Sequence, residues 1–127
     1  MQIDYKSFMN ELDILIARAK IDHIDHCFGL GVLERKGYLH CLQTAHKHFC
    51  KAAVKCKRHK VLDLDKEYEL FLDLLKQRAA LLSLHSCMYV KTRFGVIGNI
   101  RAYLAVLRLL EMFKFRYFKQ KETTNAN

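Results

Sequence analysis

No residue of this chain is proline. Proline lacks the amide donor, and its ring clashes with the carbonyl four residues earlier, so a chain free of it can carry long uninterrupted helices. Apolar residues recur at a helical period through most of the sequence, and 127 residues give room for one domain with its own core. These features predict an all-α fold: a single-domain, antiparallel four-helix bundle over residues 1–121, followed by a disordered tail at 122–127.

The periodicity predicts where the helices fall. The first runs from about Asp4, which suits an N-cap (or Ser7, if the start is later), to His26, with Phe8, Leu12, Leu15, Ile16 and Ala19 on one face. The stretch Cys27 to Gly37 holds three of the five glycines and reads as a loop. A second helix is expected from Tyr38 to Lys60. A short connection near Val61 to Leu64 predicts that the third, Asp63 to Leu84, packs antiparallel to it. The third opens on Asp63, Asp65, Glu67 and Glu69, the sign that the helix dipole favours at an N-terminus. The fourth is expected from Met88 to Lys119, with Gly95 and Gly98 marking a kink or a close approach by a neighbour. Its segment Ile100 to Phe113 is apolar on nearly every side, which predicts either a subunit interface in a homo-oligomer or a central position among the other helices.

Charge is distributed unevenly. The net charge is +9, and between Arg35 and Leu62 eight basic residues meet no acidic one. Lys47, Lys51, Lys55 and Arg58, spaced four, four and three, would share a narrow arc of a continuous helix. Like charges at that spacing destabilise a helix by a few tenths of a kcal/mol per pair, and an ordinary solvated face would intersperse glutamates. From Lys91 to Lys121 a further eight basic residues face one acid, Glu111, with Arg101 and Arg108 on a second patch. Phe113, Phe115, Tyr117 and Phe118 interleave with the last of these cations, a mix seen where single-stranded nucleic acid is bound, although core or interface packing is the commoner reason for such aromatics.

Other chemistries find less support. Five cysteines, an odd number, and a charged N-terminal stretch without an apolar h-region fit reduced thiols in the cytoplasm. No uncharged apolar run approaches the ~18 residues of a membrane span. His23, His26 and Cys27 cluster, as do His46, His48 and Cys50, and Cys56 with His59. His46 and Cys50 share a helix face, yet no pair of ligand motifs supplies the four converging donors of a zinc site. No metal, cofactor or catalytic residue is therefore expected.

Two family resemblances bear on function. Arg35-Lys36-Gly37-Tyr38-Leu39-His40 has the R-x4-H spacing of HEPN ribonucleases, and Arg78 to His85 gives R-x6-H. Membership there would imply an arginine on phosphate charge and a histidine in proton transfer, usually across a dimer. Separately, Leu81-Leu82-Ser83-Leu84, then Ile97-Gly98 and Leu104, resembles the C-terminal half of the Avd accessory proteins of diversity-generating retroelements. Val96 stands where that family usually has an acid, and Ala102-Tyr103-Leu104 replaces its Gly-Gly-Trp. That resemblance implies a basic four-helix bundle, a pentameric ring, and binding to RNA and a reverse transcriptase.

The expectation is thus a non-enzymatic, oligomeric accessory protein holding nucleic acid, RNA ahead of DNA, by its phosphate backbone. Lys47, Lys51, Lys55, Arg58, Arg101 and Arg108 would make the contacts, with a polymerase as a possible protein partner. A module docking on an acidic protein is the alternative, and a HEPN-type ribonuclease the third reading.

Overall fold

A computed structural model describes residues 1–25, 29, 31–83 and 89–125. Chain order is β1 (Gln2–Asp4), α1 (Tyr5–Asp25), α2 (Gly31–Ala52), β2 (Val54–Cys56), β3 (His59–Asp63), α3 (Leu64–Ser83) and α4 (Val90–Asn125). The chain is predominantly helical, with four helices, and carries in addition a small antiparallel sheet of order β1-β3-β2. No described helix is long and apolar enough to cross a membrane. His26, Cys27, His85, Cys87 and Leu84 to Met88, to which several expectations attach, lie outside the described residues.

Local signals set the helix starts. Asp4 caps α1: its carboxylate accepts from the Ser7 amide at 2.9 Å and the Ser7 hydroxyl at 2.6 Å. These bonds hold the Asp4 carboxyl below its usual range. Asp63 plays the same part for α3, accepting from the Lys66 amide at 3.4 Å. The N-terminal amino group pairs with Asp65 at 3.1 Å, and the Met1 carbonyl accepts from the Leu64 amide at 2.8 Å, so β1 is stitched to the start of α3.

Four phenylalanines, one from each helix, join the elements. Phe8 meets Phe49 edge-on at 4.7 Å between centroids and Phe113 at 5.5 Å, while Phe49 stacks on Phe71 at 5.1 Å. Such pairs contribute about 0.5–1.5 kcal/mol beyond the area they bury. Phe8, Phe49 and Phe71 are fully buried together with Leu12, Leu42, Leu62, Leu64, Val106 and Leu110, and Ile3 pairs with Leu62 across the sheet to close the core at one end.

The structure corrects two expectations. The expected Cys27 to Gly37 loop is shorter, because α2 begins at Gly31. Gly37 is there for proximity: a Cβ on it would lie 2.6 Å from the Gly95 carbonyl oxygen of α4, and one on Gly98 would collide with the Glu34 carbonyl oxygen. Second, α2 stops at Ala52, and Val54 to Asp63 form a β-hairpin in place of a last helical turn and connection. Val54 and Val61, β-branched, pair across it, and β3 finds a second partner in β1. Elsewhere, α3 takes α4 as its main helical neighbour and also meets α2 through side chains such as Phe71 and Glu67. Of the two positions expected for α4, the structure shows the central one, packed on α2 above all, then α3 and α1. Ala102, Val106, Leu107, Leu109, Leu110 and Phe113 are buried within one chain, while Leu104 and Met112 of the same segment stay exposed. The helix also continues through residues 122–125, past the expected boundary at Lys119.

Candidate nucleic-acid interface

The hairpin redistributes the predicted basic arc. Lys47 and Lys51 remain on α2, whereas Lys55 lies on β2 and Arg58 in the two-residue connection Lys57-Arg58. The arc on one helix face therefore does not exist, because the helical phase ends at Ala52. A different concentration replaces it. All residues from Val54 to Lys60 are exposed, and four of the seven (Lys55, Lys57, Arg58 and Lys60) are basic with no acid among them. Lys55 and Lys60 are direct cross-strand partners, an arrangement in which like charges destabilise a sheet. Lys57 adopts φ 56°, a left-handed conformation that costs a side-chain-bearing residue roughly 1–2 kcal/mol. The Lys60 ammonium sits 5.5 Å over the Tyr5 ring and is steadied without losing exposure.

The other predicted contacts have mixed surroundings. Lys47 lines a groove between α1 and α2 with Asp13, Lys20, Gln43 and His46. Lys51 lines a cleft shared with Glu67, Glu69 and Asp73 of α3, so acids absent from its own segment reach it through the fold. Beside it, His48 Nε2 is 2.6 Å from Glu67, the sole charged side chain buried among the described residues. Arg101 is engaged within the chain: it bonds Glu34 at 2.8 Å and lies 4.7 Å over the Tyr38 ring. Burial pushes the Tyr38 hydroxyl up, an effect that Arg101 partly opposes. Arg108 is exposed on α4. Further along, Phe113 belongs to the core, whereas Phe115, Tyr117 and Phe118 are 70, 36 and 47% exposed among Lys114, Arg116 and Lys119.

A second basic surface gathers residues that sequence separates. Lys36, His40, Arg78, Lys91, Thr92 and Asn99 line a cleft of about 530 Å³ where α2 and α4 cross at Gly37 and Gly95, and no acid is among the described residues that line it. His40 and Arg78 come from the two different ribonuclease-like spacings, and Arg35 does not line the cleft. Lys36 and Lys91 could not be placed from sequence; the glycines that bring their helices together were the one available signal. Among the described residues, no three His, Cys, Asp or Glu side chains converge to hold a metal ion.

No family model, curated protein or solved structure matches the chain.

Proposed function

We propose that this chain is a non-enzymatic protein that holds nucleic acid, RNA ahead of DNA, by its phosphate backbone, with the β2–β3 tip as the principal contact. The observation that carries the reading is the exposed set Lys55, Lys57, Arg58 and Lys60, kept together despite a like-charge cross-strand pair and a left-handed lysine. Two local destabilising choices within six residues fit a surface shaped for an anion. Lys47, Lys51 and Arg108 extend the contact, Arg101 contributes less because Glu34 holds it, and the Lys36–Arg78–Lys91 cleft offers a second phosphate-sized anion site. The exposed Phe115 and Phe118 supply stacking faces near Arg116 and Lys119.

The same proposal includes an antiparallel arrangement of the four helices, residence in the cytoplasm, and an accessory role beside a polymerase such as a reverse transcriptase. Self-association through α4 would use the side chains left uncovered, Leu104 and Met112, together with Phe115 and Phe118. That apolar stripe favours docking on a protein as the second reading, and pull-down with and without nuclease separates the two.

The test is a variant with Lys55, Lys57, Arg58 and Lys60 all changed to Gln, compared with the parent on single-stranded RNA across a salt series. Four lost contacts should flatten the slope of log affinity against log salt by about 3, at about 0.7 per phosphate. Far-UV circular dichroism should be unchanged. An unaltered slope removes the hairpin from the interface.

A further inference from the structure

We infer that Cys50 is a nucleophilic thiol, served by His46 and Asp13, that exchanges with low-molecular-weight disulfides. Cys50 is exposed on α2, and its Sγ lies 3.7 Å from Nδ1 of His46, one turn earlier on the same face. The other ring nitrogen of His46 is 3.0 Å from Asp13 Oδ1 on α1. From the opposite side the Tyr5 hydroxyl donates to Sγ at 3.4 Å. That bond first, and burial second, push the Tyr5 hydroxyl up to about 12, so it stays a donor at neutral pH.

With His46 neutral, each proton in this row has one consistent place. Asp13 can only accept, so Nε2 of His46 carries the hydrogen and Nδ1 is left as an acceptor toward Sγ. Tyr5 donates into the sulfur, and the sulfur's own hydrogen points at Nδ1. Transfer of that hydrogen yields a thiolate beside an imidazolium whose far side rests on a carboxylate. This is the nucleophile–base–orienting group order of activated cysteines. Asp13 is a positioning residue, since it reaches the sulfur only through the ring.

Packing does not account for the row. The His46 and Asp13 side chains are 35 and 59% exposed, so water would satisfy them equally well. Among the described residues no three His, Cys, Asp or Glu side chains are grouped to hold a metal ion, and this row is no exception. The C-terminal end of α2 disfavours an anion at Cys50, so activation has to come from side chains. Lys47, three residues earlier, adds a cation on the same face. Acyl transfer is not supported, because the Cys50 amide lies inside a helix and supplies no oxyanion hole. Disulfide exchange needs none. The thiolate attacks one sulfur of the small disulfide, a new S–S bond forms as the old one breaks, and the leaving thiolate takes the proton from His46. The products are a mixed disulfide at Cys50 and one free thiol, with no external oxidant.

The inference is independent of nucleic-acid binding. It is tested on the full chain with bis(2-hydroxyethyl) disulfide, an uncharged reagent that the lysines do not steer, reading each cysteine by peptide mass spectrometry. Cys56, exposed on β2, is the internal comparator. At neutral pH Cys50 should react about tenfold faster than Cys56 and faster than Cys50 itself in urea. His46→Asn should reduce the Cys50 rate to the level of its unfolded form without altering the Cys56 rate. Asp13→Asn should alter the pH profile of the Cys50 rate alone. A Cys50 rate equal in folded and urea-unfolded parent overturns the inference whatever the variants do, and so does a Cys50 rate that His46→Asn leaves untouched in a folded protein.

Discussion

The α2–α4 crossing allows a paired test in which one glycine is replaceable and its neighbour three residues on is not. A Cβ at Gly95 meets nothing within 4 Å, whereas one at Gly98 collides with the Glu34 carbonyl oxygen and lies 2.7 Å from the Tyr38 amide nitrogen. Both obstacles at Gly98 are backbone atoms of α2, so no side chain can turn aside. Ordinary packing separations are about 3.5 Å, so α2 must withdraw by roughly 1 Å, which forfeits a quarter to a half of each pair's 0.1–0.2 kcal/mol well. Over about 40 atom pairs that is about 2 kcal/mol, inside the 1–3 kcal/mol usual for overpacking. Alanine in place of glycine within a helix contributes about 1 kcal/mol in the other direction at both positions. Gly95→Ala should therefore stabilise by about 1 kcal/mol and Gly98→Ala destabilise by about 1 kcal/mol. Because the propensity gain is common to both, the gap of about 2 kcal/mol isolates the steric part. Thermal unfolding followed at 222 nm should separate the two variants by about 6–10 °C. Equal melting temperatures would refute the close approach and, with it, the placement of the basic cleft between these helices.

Two further outcomes follow from the sheet and the first cap. Lys57→Gly should stabilise the fold by about 0.5–1 kcal/mol by relieving its left-handed φ, while weakening RNA binding through the lost charge; urea midpoints and RNA titrations should thus move in opposite directions. Asp4→Ala should cost about 1 kcal/mol at neutral pH. Since the Asp4 carboxyl is held below its ordinary range, its contribution is present above the unfolded carboxylate value and disappears as pH falls through the lower folded one. The difference between parent and Asp4→Ala in urea midpoint should therefore shrink on acidification toward the value that Asp4→Asn, which keeps a neutral cap, shows at every pH.

The helical character was legible because the apolar period is sustained and no proline breaks it; Asp4 as a cap and Phe8, Leu12, Ile16 and Ala19 as a buried face follow from spacing alone. The hairpin was not legible. Lys47, Lys51, Lys55 and Arg58 keep a helical interval, and the turn carries Lys57-Arg58 where Gly or Asn would announce a two-residue connection. The alternation of Val54 and Cys56 with Lys55 and Lys57 was the strand signal present, and it spans too few residues to outweigh the helical phase. The third strand, Gln2–Asp4, is three residues long and earns its conformation from Val61 and Leu62, far away in sequence. The acids that share a cleft with Lys51, and the Glu34 that holds Arg101, come from other parts of the chain and carry no signal near those cations. His46 and Cys50 could be put on one face from sequence, but Asp13 and Tyr5 join them only through the packing of α1 on α2.

The sheet also restricts how the hairpin can be studied. Excising residues 54–63 would strip Ile3 of Leu62, release the Met1 amino group from Asp65, and behead α3 by removing Asp63. A deletion mutant would therefore report the unclasping of the amino terminus together with any loss of ligand, and only side-chain replacement at the tip leaves that clasp shut.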